Sequence, residues 1–159
     1  MQMQLIESWA SRQSDLPYET QEEALILASI IEKEAASKTD RRLVAAVLIN
    51  RLRRGMRLQS DPTVRYGINV STTGPISKAD LRRKTSWNTY MVTGLPKTPI
   101  CNPSLDAIDA ALNPAESDFL YFVSDGFGGL RFAKTLDAHN KNVRLFRLIR
   151  QQKSKGPKP

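Results

Sequence analysis

The 159-residue chain has few of the residues that build metal sites, disulfides or membrane spans. Its single cysteine, Cys101, excludes an internal disulfide. One histidine and one cysteine cannot supply a His/Cys zinc site, so we expect no metal, and we expect no cofactor either. The sequence has no apolar run of about 18 residues and no basic-then-apolar leader, so we expect neither a membrane span nor an export signal in it.

Acidic residues are outnumbered by basic ones. The chain has 16 Asp and Glu against 24 Lys and Arg, a formal net charge of +8. This excess suggests an anionic partner such as nucleic acid, anionic lipid or an acidic cell-wall glycan. Near the end, basic residues recur every three positions and predict a stripe along a final helix: Lys141, Arg144, Arg147 and Arg150. Such a stripe is also typical of a solvated helix face.

Helical patterns and one hairpin organise the sequence. Thr20-Gln-Glu-Glu23 has the form of a capping box and predicts a helix that continues to about residue 36. A second helix is predicted over 40–54, with Asp40 as its cap and Gly55 as its stop. Short helices are predicted over 77–83 and 104–112, strands over 119–123 and 130–135, and a last helix over 136–152. Helices with one hairpin and no βαβ alternation favour the α+β class.

The region from Met56 to Pro103 is irregular and rich in proline. Proline pushes the preceding residue towards extended backbone, which predicts a loop with few regular elements. Loops of this length inside a compact domain usually bind a ligand or cover a site.

Two glutamates lie at the end of the first apolar helix, in Ile31-Glu-Lys-Glu34. At 3.6 residues per turn Glu32 and Glu34 lie about 200° apart, so they meet different environments. Glu34 follows Leu and Ile at helical spacing, and burial there raises a carboxyl pKa towards that of a general acid in glycosidic chemistry. The alternative is that one glutamate is solvated and the other pairs with Arg41 or Arg42.

Several uncommon blocks occur in order, and through them the chain resembles the YceG-like (MltG-type) endolytic murein transglycosylases from about Leu25 to Val143. The matching blocks are Ala28-Ser-Ile-Ile-Glu-Lys-Glu34, Val47-Leu-Ile-Asn-Arg-Leu52, Gly55-Met-Arg-Leu-Gln-Ser-Asp-Pro-Thr-Val64, Tyr66-Gly67, Asn88-Thr-Tyr90, Gly94-Leu-Pro96, Thr98-Pro-Ile100, Asn102-Pro103, Leu120-Tyr-Phe-Val123, Asp125-Gly126, Thr135-Leu136 and His139-Asn140.

The resemblance implies an enzyme that cuts peptidoglycan glycan strands internally. In that family the muramic acid 6-hydroxyl attacks its own anomeric carbon and leaves a 1,6-anhydro end, with one glutamate acting first as acid and then as base. It further implies a helical core with a lysozyme-like active-site helix, and it assigns the catalytic role to Glu34, with Glu32 in support. The same chemistry implies that strand length is limited and that penicillin-binding synthases are possible partners.

The resemblance also turns the irregular region into a glycan-binding region. Its side chains can hydrogen-bond sugar hydroxyls and N-acetyl groups, and Tyr90 can stack on a sugar face. Asp61 either stabilises positive charge at the anomeric carbon or caps a loop. His139 orients a catalytic group or binds substrate, and the alternative is that it only caps or satisfies a neighbour. The predicted substrate-binding residues are Gln59, Ser60, Asn88, Thr89, Tyr90, Thr98, Asn102 and Asn140.

The chain departs from the family at the hairpin turn and in length. Relatives commonly have Gly-Gly-His where this chain has Gly128-Gly129-Leu130, so that contact is lost or Arg131 replaces it. Relatives also carry a membrane anchor and a small LysM-like module and act at the cell envelope. We therefore expect a catalytic-domain fragment or a truncated gene, with residues 1–21 as an N-terminal remnant or linker, 22–152 as the catalytic domain and 153–159 as a disordered basic tail.

Three other functions compete with this one. A hydrolytic muramidase would leave reducing ends, and an inactive remnant would bind glycan without cutting it. A nucleic-acid or anionic-surface binder would use the basic stripe and would not depend on Glu34. We expect no nucleic-acid partner, and we expect membrane association only through an anchor that the sequence lacks.

Overall fold

The computed structural model describes residues 2–69 and 74–156, and this part of the chain has the predicted α+β architecture. Its elements follow the order α1 (Gln2–Ala10), α2 (Gln21–Glu34), α3 (Lys38–Arg53), α4 (Asp61–Ile68), α5 (Lys78–Arg82), α6 (Leu105–Leu112), β1 (Tyr121–Ser124), β2 (Leu130–Ala133) and α7 (Leu136–Ser154).

Side-chain caps set the starts of the central helices. The predicted capping box of α2 is present, with Thr20 and Glu23 satisfying each other's backbone N–H groups. The prediction that Asp40 caps α3 is wrong: Ser37 caps it and accepts a hydrogen bond from the Asp40 N–H at 3.1 Å. The two predicted short helices are present, and Ser77 and Ser104, the first residues of their predicted ranges, are their caps.

The core forms where α2, α3 and α6 pack against one another. Each helix contributes large apolar side chains that are at most 2% exposed, and burial of such a side chain contributes roughly 1.5–3 kcal/mol. These side chains are Leu27, Ile30, Ile31, Val44, Leu48, Ile108 and Leu112. Because α2 is buried along most of its length, its C-terminal glutamates are held rigidly.

Two helices were not predicted. Helix α1 lies within the segment predicted as a remnant or linker, and it buries Leu5 (8% exposed) and packs Trp9 against the core. Helix α4 starts at Asp61-Pro62, inside the region predicted as irregular, because proline is favourable in the first turn of a helix. The segment before α2 is thus packed on the domain.

The predicted hairpin is present with shorter strands. Tyr121 pairs with Ala133 and Ser124 with Leu130 in antiparallel register. The Asp125 carboxylate accepts hydrogen bonds from the N–H groups of Phe127 (2.7 Å) and Gly129 (3.0 Å), which fixes the turn. Gly126 and Gly128 have φ of +84° and +94°, a conformation that requires glycine.

Helix α7 packs across the hairpin and continues two residues beyond the predicted end, into the predicted tail. Residues 157–159 of that tail lie outside the described residues. The predicted basic stripe is exposed on α7 at Lys141, Arg144, Arg147 and Arg150. Among the helices of residues 2–69 and 74–156, none combines the length and apolarity that crossing a bilayer requires.

Candidate active site

A cleft of about 610 Å³ lies between the end of α2, the loop that precedes α4, strand β1 and the start of α7. Six of the predicted site residues line it, although they come from four separate stretches of sequence. They are Glu34, Gln59, Asp61, Tyr90, His139 and Asn140. The fold therefore brings half of the twelve predicted residues to one place.

Glu34 is the carboxyl at the wall of the cleft. Burial raises its pKa from 4.5 to about 7, and the negative charge of Asp61 adds to this rise. The Ser60 hydroxyl donates a hydrogen bond of 2.7 Å to Glu34 Oε1, which opposes the rise and fixes the carboxyl in place. A carboxyl with this pKa can both donate and accept a proton near neutral pH.

The loop that carries Ser60 is held by Thr89. The Ser60 N–H donates to Thr89 Oγ1 at 2.9 Å, and the Gln59 N–H donates to the Thr89 carbonyl at 3.1 Å. Gln59 has a φ of +52°, a left-handed conformation that costs free energy in a residue with a side chain. Thr89 is fully buried and lies behind the cleft, so it positions Ser60 from the protein side.

Asp61 and Tyr90 form a polar pair at the cleft. The Tyr90 hydroxyl donates to Asp61 Oδ1 at 2.6 Å. Burial and this bond to Asp61 raise the pKa of Tyr90, so its phenol stays protonated. Asp61 is exposed at the first turn of α4, where a negative charge is favourable.

Glu32 lies on the other side of α2 and does not line this cleft. Its carboxylate accepts hydrogen bonds from Arg41 Nη2 at 3.0 Å and from the Ser104 N–H at 3.0 Å, and also from the Ser104 hydroxyl. Burial opposes ionisation, but the Ser104 bonds and the Arg41 charge outweigh it and lower the pKa of Glu32. Glu32 therefore joins α2 to α3 and to the cap of α6.

His139 stacks on Tyr121 in the wall opposite α2. The ring centres are 5.1 Å apart with planes inclined by 24°. Burial and the charge of Arg51 lower the pKa of His139, so its ring is neutral at neutral pH. Its Nδ1 is buried and has no hydrogen-bond partner within residues 2–69 and 74–156.

The structure does not bring the remaining predicted binding residues to the cleft lining. Ser60 and Thr89 lie behind it. Asn88 is buried, and its amide donates to backbone carbonyls such as that of Arg83 at 2.8 Å. Thr98 accepts a hydrogen bond from the Trp87 indole at 2.9 Å, and Asn102 lies at a separate, mostly apolar cavity of about 300 Å³.

Eight residues that line the cleft were not predicted as site residues, and three of them bear on its chemistry: Arg51, Tyr121 and Leu130. The first two are within matching sequence blocks, and a polar or aromatic residue in such a block is the signal that could have found them. Leu130 itself lines the cleft, whereas Arg131, next along β2, is exposed and does not line it.

A second groove of about 550 Å³ meets the cleft at Glu34. Glu34, Ser124 and Leu130 line both spaces. Glu32, Lys33 and Arg41 also line the second groove, where Arg41 pairs with the Glu32 carboxylate at 3.0 Å. Glu34 thus lies partway along a longer surface depression.

Comparisons with known proteins identify relatives of this chain. The model of the YceG-like family matches residues 1–145. The chain is 44% identical over 117 residues to an endolytic murein transglycosylase of Bacillus subtilis, covering 74% of this chain and 32% of that protein. A Streptococcus pneumoniae protein of the same name is 39% identical over 130 residues, covering 78% of this chain and 23% of that one.

A solved structure extends the agreement to the fold. The crystal structure of a YceG-like protein from Listeria monocytogenes superposes with a TM-score of 0.70 at 42% identity, covering 76% of this chain and 38% of that one. The chain thus spans about a third or less of the two named transglycosylases. Because the family model covers nearly the whole sequence, this chain belongs to the YceG-like family.

Proposed function

We propose that this chain is a lytic transglycosylase that cuts the glycan strands of murein between N-acetylmuramic acid and N-acetylglucosamine. The observation that carries the proposal is Glu34, a carboxyl with a pKa of about 7 in a cleft of a YceG-like chain. Enzymes use such tuned carboxyls as general acids and bases.

Glu34 performs both proton transfers. The protonated carboxyl gives its proton to the glycosidic oxygen, and the bond from that oxygen to the muramic C1 breaks. The resulting Glu34 carboxylate takes the proton of the muramic 6-hydroxyl while that oxygen bonds to C1. The product is a 1,6-anhydro end, no water is consumed, and Glu34 regains its proton. This differs from ordinary glycosidases, which use a second carboxylate.

The surrounding groups have supporting roles in this proposal. Ser60 orients the Glu34 carboxyl, and Asp61 stabilises positive charge at C1 while Tyr90 holds it. His139 and Asn140 contact the sugar at the opposite wall, and Glu32 positions the end of α2. The two spaces that meet at Glu34 can hold sugars on both sides of the cut bond, as cleavage within a strand requires.

The same chemistry sets the cellular context. We propose the cell envelope as the place of action, since murein is found there, and internal cutting limits the length of the strands. Penicillin-binding synthases remain predicted partners.

Mass spectrometry of the products from purified murein tests the proposal. The chain should release fragments that end in 1,6-anhydromuramic acid, and Glu34→Gln should release at least about a hundredfold less while still binding glycan. Glu32→Gln is the matched control, because it makes the same change two residues away, and it should still form anhydro ends. Reducing ends would identify a hydrolytic muramidase instead, and glycan binding without any products would identify a binding remnant.

A further inference from the structure

Arg51 places a buried positive charge in the wall of the cleft. Arg51 is only 7% exposed, yet it lines the cleft. It takes part in no ion pair among residues 2–69 and 74–156. Buried charges in proteins are usually paired, so an unpaired guanidinium in a cleft points to an acceptor that arrives with the substrate.

The guanidinium is fixed at one end and open at the other. Nε donates to the Leu120 carbonyl at 2.7 Å, and Nη1 donates to the Arg57 carbonyl at 2.9 Å. Nη2 has no hydrogen-bond partner in the described parts of the chain, and it is not sealed from solvent. The group is therefore oriented before any ligand binds, which reduces the entropy lost on binding.

Aromatic rings define the surface beside this charge. The guanidinium carbon lies 5.0 Å from the centre of the Tyr121 ring, which in turn stacks on His139. Because the His139 ring is neutral, the positive charge of this group of three residues resides on Arg51. An apolar ring surface with one open guanidinium nitrogen fits a sugar that carries an acidic or carbonyl-bearing substituent.

We propose that Arg51 binds the acyl oxygen of the lactyl ether on the muramic acid residue and so distinguishes murein from a strand of N-acetylglucosamine alone. The inference rests on the proposed function and names the specificity-determining group of the same cleft. In murein the lactyl acyl group is either a free carboxylate or an amide to the peptide stem, and a guanidinium can donate hydrogen bonds to the oxygen of either form.

Matched ligands on the inactive protein test the proposal. Glu34→Gln protein is titrated with stem-free murein strands and with chitooligosaccharides of equal length, which differ only in the lactyl groups. The muramyl strand should bind at least tenfold more tightly, and the NMR signal of the Arg51 Nε–H should shift with it alone. A third ligand, a strand whose lactyl groups are amidated by alanine, distinguishes the amide carbonyl from the carboxylate. The proposal is supported if either muramyl strand, the free acid or the amide, binds more tightly than the chitooligosaccharide.

Substitution of the arginine provides the second arm. Arg51→Lys, made in Glu34→Gln protein, keeps the positive charge but loses the planar set of guanidinium N–H donors. It should reduce the ratio of the affinities for muramyl strands and chitooligosaccharides at least fivefold. Arg144→Lys, at an exposed position of α7, is the control and should leave the preference unchanged. If Arg51→Lys fails to fold, the NMR signal of Arg51 in Glu34→Gln protein still tests the proposal.

The outcomes separate this proposal from the proposed function. Equal affinity for both ligands, or an Arg51 signal that does not move on saturation, overturns the role of Arg51 even if the active chain cuts murein. Failure to bind either ligand, together with failure to cut murein, overturns both.

Discussion

Glu32 and Glu34 are the same residue type on the same helix, two positions apart, and the fold gives them opposite properties. Glu32 faces Arg41 and Ser104, which keep it ionised. Glu34 faces a cleft in which burial raises its pKa to about 7. The comparison shows that the environment on each side of α2, and not the residue type, sets whether the pKa of a glutamate is lowered or raised.

The largest expected effect tests which glutamate moves the proton. Glu34→Gln should lower the rate of murein cleavage by about 10²–10⁴-fold, because an amide cannot transfer a proton. Glu32→Gln should lower the rate by less than about tenfold at temperatures where it stays folded. Turnover is measured as release of soluble fragments. Wild-type turnover in Glu34→Gln combined with loss in Glu32→Gln would reverse the assignment.

The two substitutions should differ as strongly in stability. Glu32→Gln leaves the partly buried Arg41 without its carboxylate, and it should lower the free energy of unfolding at pH 7 by about 2–3 kcal/mol. Urea denaturation followed by circular dichroism measures this change. An unaltered denaturation midpoint would show that the contacts of Glu32 add nothing to the fold.

Glu34→Gln should instead stabilise the protein, and only at higher pH. Folding raises the pKa of Glu34 from 4.5 to about 7, so between these values the folded state binds more protons than the unfolded state. Wild-type stability therefore falls as the pH rises through this window. Glu34→Gln removes that loss and should be more stable than the wild type by about 3 kcal/mol at pH 8. At pH 4.5 the two proteins should be nearly equal, and a constant difference across the range would contradict the account.

The smallest effect separates the two neighbours of Glu34. Cleavage needs the protonated acid, so the rate should fall as the pH rises through about 7. Ser60→Ala removes a hydrogen bond to the carboxylate, so the fall of the rate, which is the alkaline limb of the pH–rate profile, should move to higher pH. Asp61→Asn removes a repelling charge and should move it to lower pH, each by several tenths of a pH unit or more. Shifts in the same direction would show that the limb does not report Glu34.

Local signals in the sequence predicted the helices that have side-chain caps, because a cap acts within three or four residues. The capping box at Thr20 and the caps at Ser77 and Ser104 are of this kind. Helix α4 was missed because Asp61-Pro62 is typical of both a loop and a first helical turn. The cap of α3 was misplaced by three residues for a similar reason, since Ser37 and Asp40 are both good caps.

The candidate site also has a part that the local sequence predicts and a part that only the fold reveals. The apolar face of α2 beside Glu34 can be read from helical spacing, and so can the different surroundings of Glu32. The partners cannot be read in this way, because Ser60 lies 26 positions from Glu34 in sequence and Ser104 lies 72 positions from Glu32. Arg51 was missed because its proposed role rests on a donor, Nη2, that the fold leaves without a partner among the described residues.

Titration of the two side-chain carboxyls by ¹³C NMR tests the central claim most directly. The signal of Glu34, assigned by its absence in Glu34→Gln, should titrate with a midpoint near pH 7, and the signal of Glu32 should titrate below its usual value of 4.5. If both carboxyls titrate near 4.5, or if Glu32 has the higher midpoint, the two sides of α2 do not differ as described and Glu34 is not the acid.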